Sequence, residues 1–249
     1  MAVGRTNATL IKAAAVIGLA GPVLVLLGAM GTKFGIIDWE MGFRTMTVKW
    51  ASWAAMAGIA TGLVALILAF KDIKRHWIAV AIALLVPALT LGGFMKLKAD
   101  AAKLPPIHDV ATDWTQPIGF SRQTMDARRG AANPIEADPI VPERAGPPWA
   151  GRRVAEINAE TCPGAKPIMR ELTPDQVAEA FEDAGVLVLG RAPWKVEGVY
   201  ESFWFGFKDD IVARIRPERT DIRSISRVGL SDLGANCARV TKIVKALGG

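Results

Sequence analysis

The stretch "DIRSISRVGLSDLGAN", residues 221–236, decides how the C-terminal part of the chain is read. Strand side chains alternate with period two. Arg219, Asp221, Arg223, Ile225 and Arg227 therefore share one face, and Thr220, Ile222, Ser224, Ser226 and Val228 share the other. The second set is small enough to lie beneath a helix. In the strand before it, Ile211, Ala213 and Ile215 oppose Val212, Arg214 and Arg216, and in a longer strand Lys195, Glu197, Val199 and Glu201 lie together. Where the polar faces coincide, arginines stand across from glutamates and the charges largely cancel, exposed pairs of this kind contributing about 0–1 kcal/mol each. The other reading makes Arg214, Arg216, Arg223 and Arg227 an anion-binding or partner-binding face, because a guanidinium fork suits carboxylate and phosphate. Both readings stay open at this point.

After Gly229 the chain enters a helix near Ser231, with Leu233, Cys237, Val240, Val244 and Leu247 as its core-facing stripe. A helix N-terminus can hold an anion, but Ser231 and Asp232 can cap those amides themselves, and Asp232 repels a second negative charge. Asp209 and Asp210 are adjacent, so they point to opposite faces and read as turn acids rather than a paired carboxylate site.

Upstream, "TPDQVAEAFEDAG" (173–185) carries a full set of helix signals: Thr173 as N-cap, Pro174 in the first turn, Gln176 completing a capping box and Gly185 as stop. Its apolar stripe is Val177, Ala180, Phe181 and Ala184. Strand-like runs follow at 186–189, 195–205, 211–216 and 221–228. Residues 161–249 are thus expected to form an α+β domain, a four-stranded antiparallel sheet with helices on one face.

Residues 99–160 read as a proline-rich linker or arm, broken by Pro105, Pro106, Pro117, Pro134, Pro139, Pro142, Pro147 and Pro148. It is either a semi-rigid spacer or a segment laid over the domain. Its opening, "LPPIHDVATDW", holds a candidate polar cluster of His108, Asp109 and Asp113. A histidine with two carboxylates suits acid–base chemistry or a metal, yet a metal site needs more converging ligands, and a turn with Asp–amide bonds explains the spacing as well. No metal ligand, cofactor site or catalytic residue is assigned.

The first hundred residues are different in kind. Residues 1–95 carry a net charge of +5 and the rest of the chain +1. The basic charge therefore flanks apolar segments, which disfavours nucleic acid as a partner and suits membrane lipid, including contact through Lys96, Lys98 and Lys103. Stretches at about 10–30, 50–70 and 77–95 are each near the ~20 residues needed to cross a bilayer. Trp50, Trp53 and Trp77 sit at segment starts and Trp39 in the first loop, where indoles favour the headgroup layer. The first stretch outruns a signal-peptide core and lacks an A-x-A site, so it is read as retained. Residues 1–98 are thus expected to be an all-α anchor of three transmembrane helices. Ala54, Gly58 and Gly62 recur every four residues as a helix-packing face, for this bundle or for a partner helix. Ionisable residues are confined to the edges of the spans, so an anchor or docking surface is expected rather than a pump or channel.

The first helix and the compact cationic loop "KDIKRH" favour a cytoplasmic N-terminus and a C-terminal domain across the membrane. Cys162 and Cys237 are permitted as a disulfide there but do not require one.

"PPIHDVATDW" (105–114), "WFGFKDDIVARIRPERTDIRSISRVGLSDLGAN" (204–236) and the terminal helix together resemble the signature of domain of unknown function 1499, over residues 104–249. His108, Asp109, Asp113, Asp209, Asp210, Arg223, Arg227, Gly229, Asp232, Gly234 and Asn236 match motif positions. The three apolar stretches resemble the anchors that many bacterial members carry, which implies a bacterial inner membrane and a periplasmic domain. The resemblance implies no catalytic mechanism. The expectation is a non-catalytic extracytoplasmic module that binds a protein partner or supports assembly of a membrane complex. The alternative is an enzyme or ligand-binding domain that acts on an anionic envelope component through His108, Asp109, Asp113 and the arginine face.

Overall fold

The computed structural model describes residues 2–248. The chain forms two compact units. One comprises the chain up to Ala102 together with Phe203–Gly206, and the other comprises Lys103–Ser202 and the chain from Phe207 on.

The first unit is helical. Helix α1 spans Ala2–Lys33, α2 Ala51–Ala69 and α3 Ile73–Ala101, and the three pack on one another. A π-helical segment, Glu40–Trp50, runs straight into α2. The helical path turns at Phe70–Asp72, where Asp72 leaves helical geometry (φ −129°, ψ 37°) and lets α3 fold back. Two helical stretches, 5–33 and 40–101, are long and apolar enough to cross a membrane, the second of them containing that turn. Small residues set the spacing between helices. The buried line of α2 is Ala51, Ala55, Gly58, Gly62, Ala65 and Ala69. A Cβ on Gly62 would lie 2.6 Å from the Ala83 carbonyl oxygen, and one on Gly58 3.0 Å from the Pro87 ring. The glycines expected to pack helices therefore pack this bundle, with Ala55 rather than half-buried Ala54 on the buried line.

The second unit is an α+β domain that starts at Lys103, so the expected arm belongs to it rather than standing apart as a linker. Its sheet has five antiparallel strands, not four. They are β1 (Asp109–Ala111), β2 (Leu187–Ala192), β3 (Lys195–Glu201), β4 (Lys208–Arg216) and β5 (Arg219–Ser226), in the order β1-β5-β4-β3-β2. The fifth strand comes from the arm: three residues of "IHDVAT" pair with β5, Asp109 opposite Ile225 and Ala111 opposite Arg223.

Helices cover the apolar face: α5 (Val154–Thr161), α6 (Pro174–Asp183) and α7 (Ala235–Ala246). Phe181, Ile157, Ile211, Ile222, Val240 and Ile243 fill the core between them and the sheet. The α6 capping box forms as expected, the Gln176 amide donating to the Thr173 hydroxyl oxygen and the Gln176 side chain accepting from the Thr173 amide. Gly185 ends that helix region at φ 80°. Helix α7 starts at Ala235, four residues later than expected. Leu233 lies outside it at φ 55°, exposed rather than part of the stripe.

The opposite face is not solvated. Residues 113–136, including the short helix α4 (Arg122–Ala127), lie across it, so a helix occupies each side of the sheet.

Cys162, at the C-terminal end of α5, is joined to Cys237 in α7, with Cα atoms 5.8 Å apart and a sequence separation of 75. By the loop-entropy argument a closure of this length stabilises the fold by about 4 kcal/mol. Replacing both cysteines with serine should cost about 2–5 kcal/mol, read as a shift of the denaturant midpoint at unchanged helix content; an unmoved midpoint would contradict a structural role for the bridge.

Candidate functional site

The register puts the polar faces of three strands on one side. Lys195 stands opposite Arg214, Glu197 opposite Val212, Arg214 opposite Asp221 and Val212 opposite Arg223. The arginines' partners are aspartates, however, and the arm supplies several of the groups that complete the pairs.

Arg223 is fully buried. Its Nε and Nη2 donate to the two oxygens of Asp109, at 3.0 and 2.5 Å. Two more donors reach the carbonyls of Ile118 (3.1 Å) and Glu136 (2.7 Å) in the arm, and the Trp114 ring lies over it. Four of its five N–H donors are thus met, as a buried charge requires, since an unmet donor keeps its desolvation cost. Asp210, also fully buried, accepts from Arg227 through Nε and Nη2 (2.9 and 2.7 Å) and from Arg128 of the arm. Arg128 in turn donates to the Asn133 carbonyl, and the Asn133 side-chain amide donates to the carbonyls of Ser226 and Gly229. Glu197 accepts from the Ser121 amide and hydroxyl and from the Thr124 hydroxyl, which fastens the start of α4 to β3.

The third cluster keeps more contact with water. Arg214, Arg216 and Arg219, with side chains 22%, 31% and 32% exposed, converge on buried Asp113 and Asp221. Three guanidinium groups on two carboxylates leave one positive charge in excess. The Nε groups of Arg214 and Arg216 are buried without a hydrogen-bond partner. Burial pushes the Asp113 carboxyl up, but the Thr115 hydroxyl, the amides of Gln116 and Thr115 and the Arg219 charge outweigh it, so this acid titrates below its ordinary 3.8.

On the helix side, Asp209 pairs with Arg239 (2.8 Å), whose guanidinium also donates to Asn236 and Ser224 and stacks over Tyr200. Asp209 and Asp210 thus do point to opposite faces, but both are buried ion-pair partners rather than turn acids. Asp232 accepts from the amides of Gly234 and Asn236, capping the entry to α7. Burial, joined by the Asp209 charge, holds the Asp232 carboxyl above 3.8 despite those donors.

His108, Asp109 and Asp113 do not converge on one centre. Asp109 is held by Arg223 and Asp113 by the arginine trio. The half-buried His108 ring nitrogen Nδ1 lies 3.3 Å from the Leu230 carbonyl oxygen, at the wall of a cleft of about 160 Å³ that Asp109, Glu136, Ile140 and Arg144 also line. Among the described residues, no three His, Cys, Asp or Glu side chains come together as a metal site. Of the four arginines expected to form an anion face, Arg223 and Arg227 are consumed in buried pairs, while Arg214 and Arg216 remain partly open and are joined by Arg219. Arg128 and Arg239, not singled out in the sequence, complete the buried pairs, and Glu197, placed on the polar strand face by the alternation, holds Ser121 and Thr124 of the arm rather than an arginine. Only the polar character of the arm and the period-two faces hinted at them.

The second unit is therefore an α+β domain in which its own N-terminal arm is clasped to an antiparallel sheet by buried arginine–carboxylate pairs. A family model described as protein of unknown function (DUF1499) matches residues 109–247, more than half of the chain, and the chain belongs to that family. No curated protein and no solved structure matches it.

The low titration of Asp113 fixes a pH dependence. A depressed folded-state value contributes stability that is present above the unfolded value of 3.8 and is lost as pH falls through the lower folded value. Asp113→Asn should destabilise the domain by about 1.5–3 kcal/mol at pH 6, the range for hydrogen bonds to charged groups. The gap between wild type and variant should then narrow below pH 4. Denaturant midpoints measured across pH 2–7 check this; a gap independent of pH would contradict it.

Proposed function

We propose that this chain is a non-catalytic module anchored by three transmembrane helices, with its N-terminus cytoplasmic and its C-terminal domain on the periplasmic side of a bacterial inner membrane. There the domain would bind a membrane-protein partner or support assembly of a membrane complex. The anchor is supported by the outward faces of α1, α2 and α3, where Val16, Leu27, Val64, Ile67, Ile78 and Leu89 are all largely exposed. So much contiguous apolar surface is costly in water and favourable in lipid. The Cys162–Cys237 disulfide supports an oxidising compartment. The carboxylates that resembled acid–base groups, Asp109, Asp113, Asp209 and Asp210, serve in buried pairs that hold the fold.

The observation that carries partner binding is the outer edge of the sheet. Strand β2 is terminal, and Leu187, Leu189 and nearby Trp194 are 66%, 37% and 63% exposed. Grooves flank it on both sides, one bordered by Ser121, Lys195 and Glu197, the other by Glu182, Gly185 and Val186. An open edge offers unpaired backbone groups to an incoming extended segment, with side-chain pockets supplying selectivity. The bulge between Val188 and Gly190 interrupts long regular pairing and so limits indiscriminate edge-to-edge association.

A second reading is favoured by the arginine trio, whose excess charge and partial exposure suit an anionic group on an envelope component. One experiment separates the two. Full-length protein purified in mild detergent should carry a stoichiometric membrane-protein partner, and Leu187→Lys with Leu189→Lys should lose it at unchanged thermal stability. Repeated recovery of the chain alone would overturn the partner reading. Retention by the edge variant with loss in Arg216→Ala would move the contact to the arginines.

A further inference from the structure

The β3–β4 turn presents three consecutive aromatics, Phe203, Trp204 and Phe205, at the apex of a hairpin. Phe203 is 73% and Trp204 60% exposed, and their rings meet edge to face with centroids 5.1 Å apart. The base of the turn is closed firmly: the Ser202 amide donates to the Phe207 carbonyl at 2.8 Å, and the Phe207 amide donates to the Ser202 hydroxyl oxygen at 2.9 Å. Such a tip is a fixed presentation of apolar surface, and nothing in the hydrogen bonding of the turn requires three large rings there.

The residues around it indicate what medium it meets. Phe203–Gly206 belong to the helical unit. Within that unit the Lys33 ammonium donates to the Phe203 carbonyl and sits 4.7 Å from the centre of its ring, and Phe43 packs edge-on against Phe205 at 5.3 Å. Lys33 is the cation that ends the apolar run of α1. A lysine in that position marks the level where hydrocarbon gives way to headgroups, since its ammonium must stay in the polar layer while its stem lies along apolar surface. A tryptophan, with an apolar ring and one polar N–H, is matched to that layer, and the cation at the face of Phe203 brings a polar group to its wholly apolar ring.

We propose that Phe203 and Trp204 enter the headgroup layer of the bilayer, making the hairpin tip a lipid-contacting element of the helical unit. This rests on the anchor reading above and adds a second, non-helical membrane contact to it. Lipid is the occupant the geometry favours, because the tip shares a unit with the apolar helices and lies against the residue that bounds the first of them.

The test uses the full chain in vesicles of phosphatidylethanolamine and phosphatidylglycerol. The two native cysteines are paired, so Trp204→Cys and, as a second position, Phe203→Cys each give a single thiol for an environment-sensitive fluorophore. Leu66→Cys on α2 and Gln123→Cys on α4 serve as lipid-facing and water-facing references. Labels at 204 and 203 should emit to the blue of the Gln123 label, lose iodide quenching, and be quenched more by lipid carrying a shallow spin label than by lipid carrying a deep one. Iodide access equal to that at Gln123, with Leu66 still protected, would overturn the proposal and leave the anchor standing. Access at Leu66 as well would overturn both. Protection seen only after native membrane extract is added would assign the tip to a protein and likewise overturn it.

Discussion

The fold of the C-terminal domain depends on buried carboxylate–guanidinium pairing between one face of the sheet and the arm that crosses it. Asp210, Asp221 and Arg223 lie on that face with essentially no exposure. A charge in such a place is tolerated only when it is paired and its remaining donors or acceptors are met. The sheet alone does not meet them. Asp109 and Asp113, Arg128, and the carbonyls of Ile118 and Glu136 come from the arm. The proline-rich segment is thus ordered by electrostatic need: without it, Arg223 would lie in the interior with no counter-charge, and Asp210 would keep Arg227 but lose Arg128. The fully buried Val110, on the helix-facing side of β1, joins the same segment to the hydrophobic core.

This arrangement narrows where function resides. Most of the ionisable groups that catch the eye in the sequence hold the arm and the sheet together, and their substitution would act first on stability. The surfaces that remain are of three kinds: an open sheet edge with exposed leucines, a partly hydrated arginine trio with surplus charge, and an aromatic hairpin tip. In the proposed function two of them, the edge and the tip, would bind through apolar contact, as suits a module proposed to work at a bilayer.

Local signals were the legible part of the sequence. The α6 helix declares itself through Thr173, Pro174, Gln176 and Gly185 within thirteen residues, and its capping box forms accordingly. Period-two alternation placed Arg223 and Ser224 on opposite faces, and Ser224 does lie beneath α7, bonded to Asn236. What escaped reading was non-local. Strand β1 is three residues long, follows a Pro-Pro pair and takes its register from a partner more than a hundred residues away. No local periodicity marks such a strand. Partner choice for the arginines escaped for the same reason: glutamates on the neighbouring strand were visible, while aspartates delivered by the arm were not. The cysteine pair was open because spacing alone does not fix whether the ends of α5 and α7 meet. Leu233 fitted a helical stripe by spacing, but Asp232 caps at the following residues and moves the helix start beyond it.

Hydrogen exchange of the arm in the native full-length protein tests the central claim most directly. The amides of Thr115, Ser121 and Asn133 donate to Asp113, Glu197 and the Arg227 carbonyl, respectively, within or beside the ionic layer. If the pairing clasps the arm as described, these amides exchange as slowly as those of β4 and β5 and share their denaturant dependence, because they open only with the domain. Exchange near the rate of an unstructured chain, with the β4 and β5 amides still protected, would show the arm to be detached and the account of the ionic layer to be wrong.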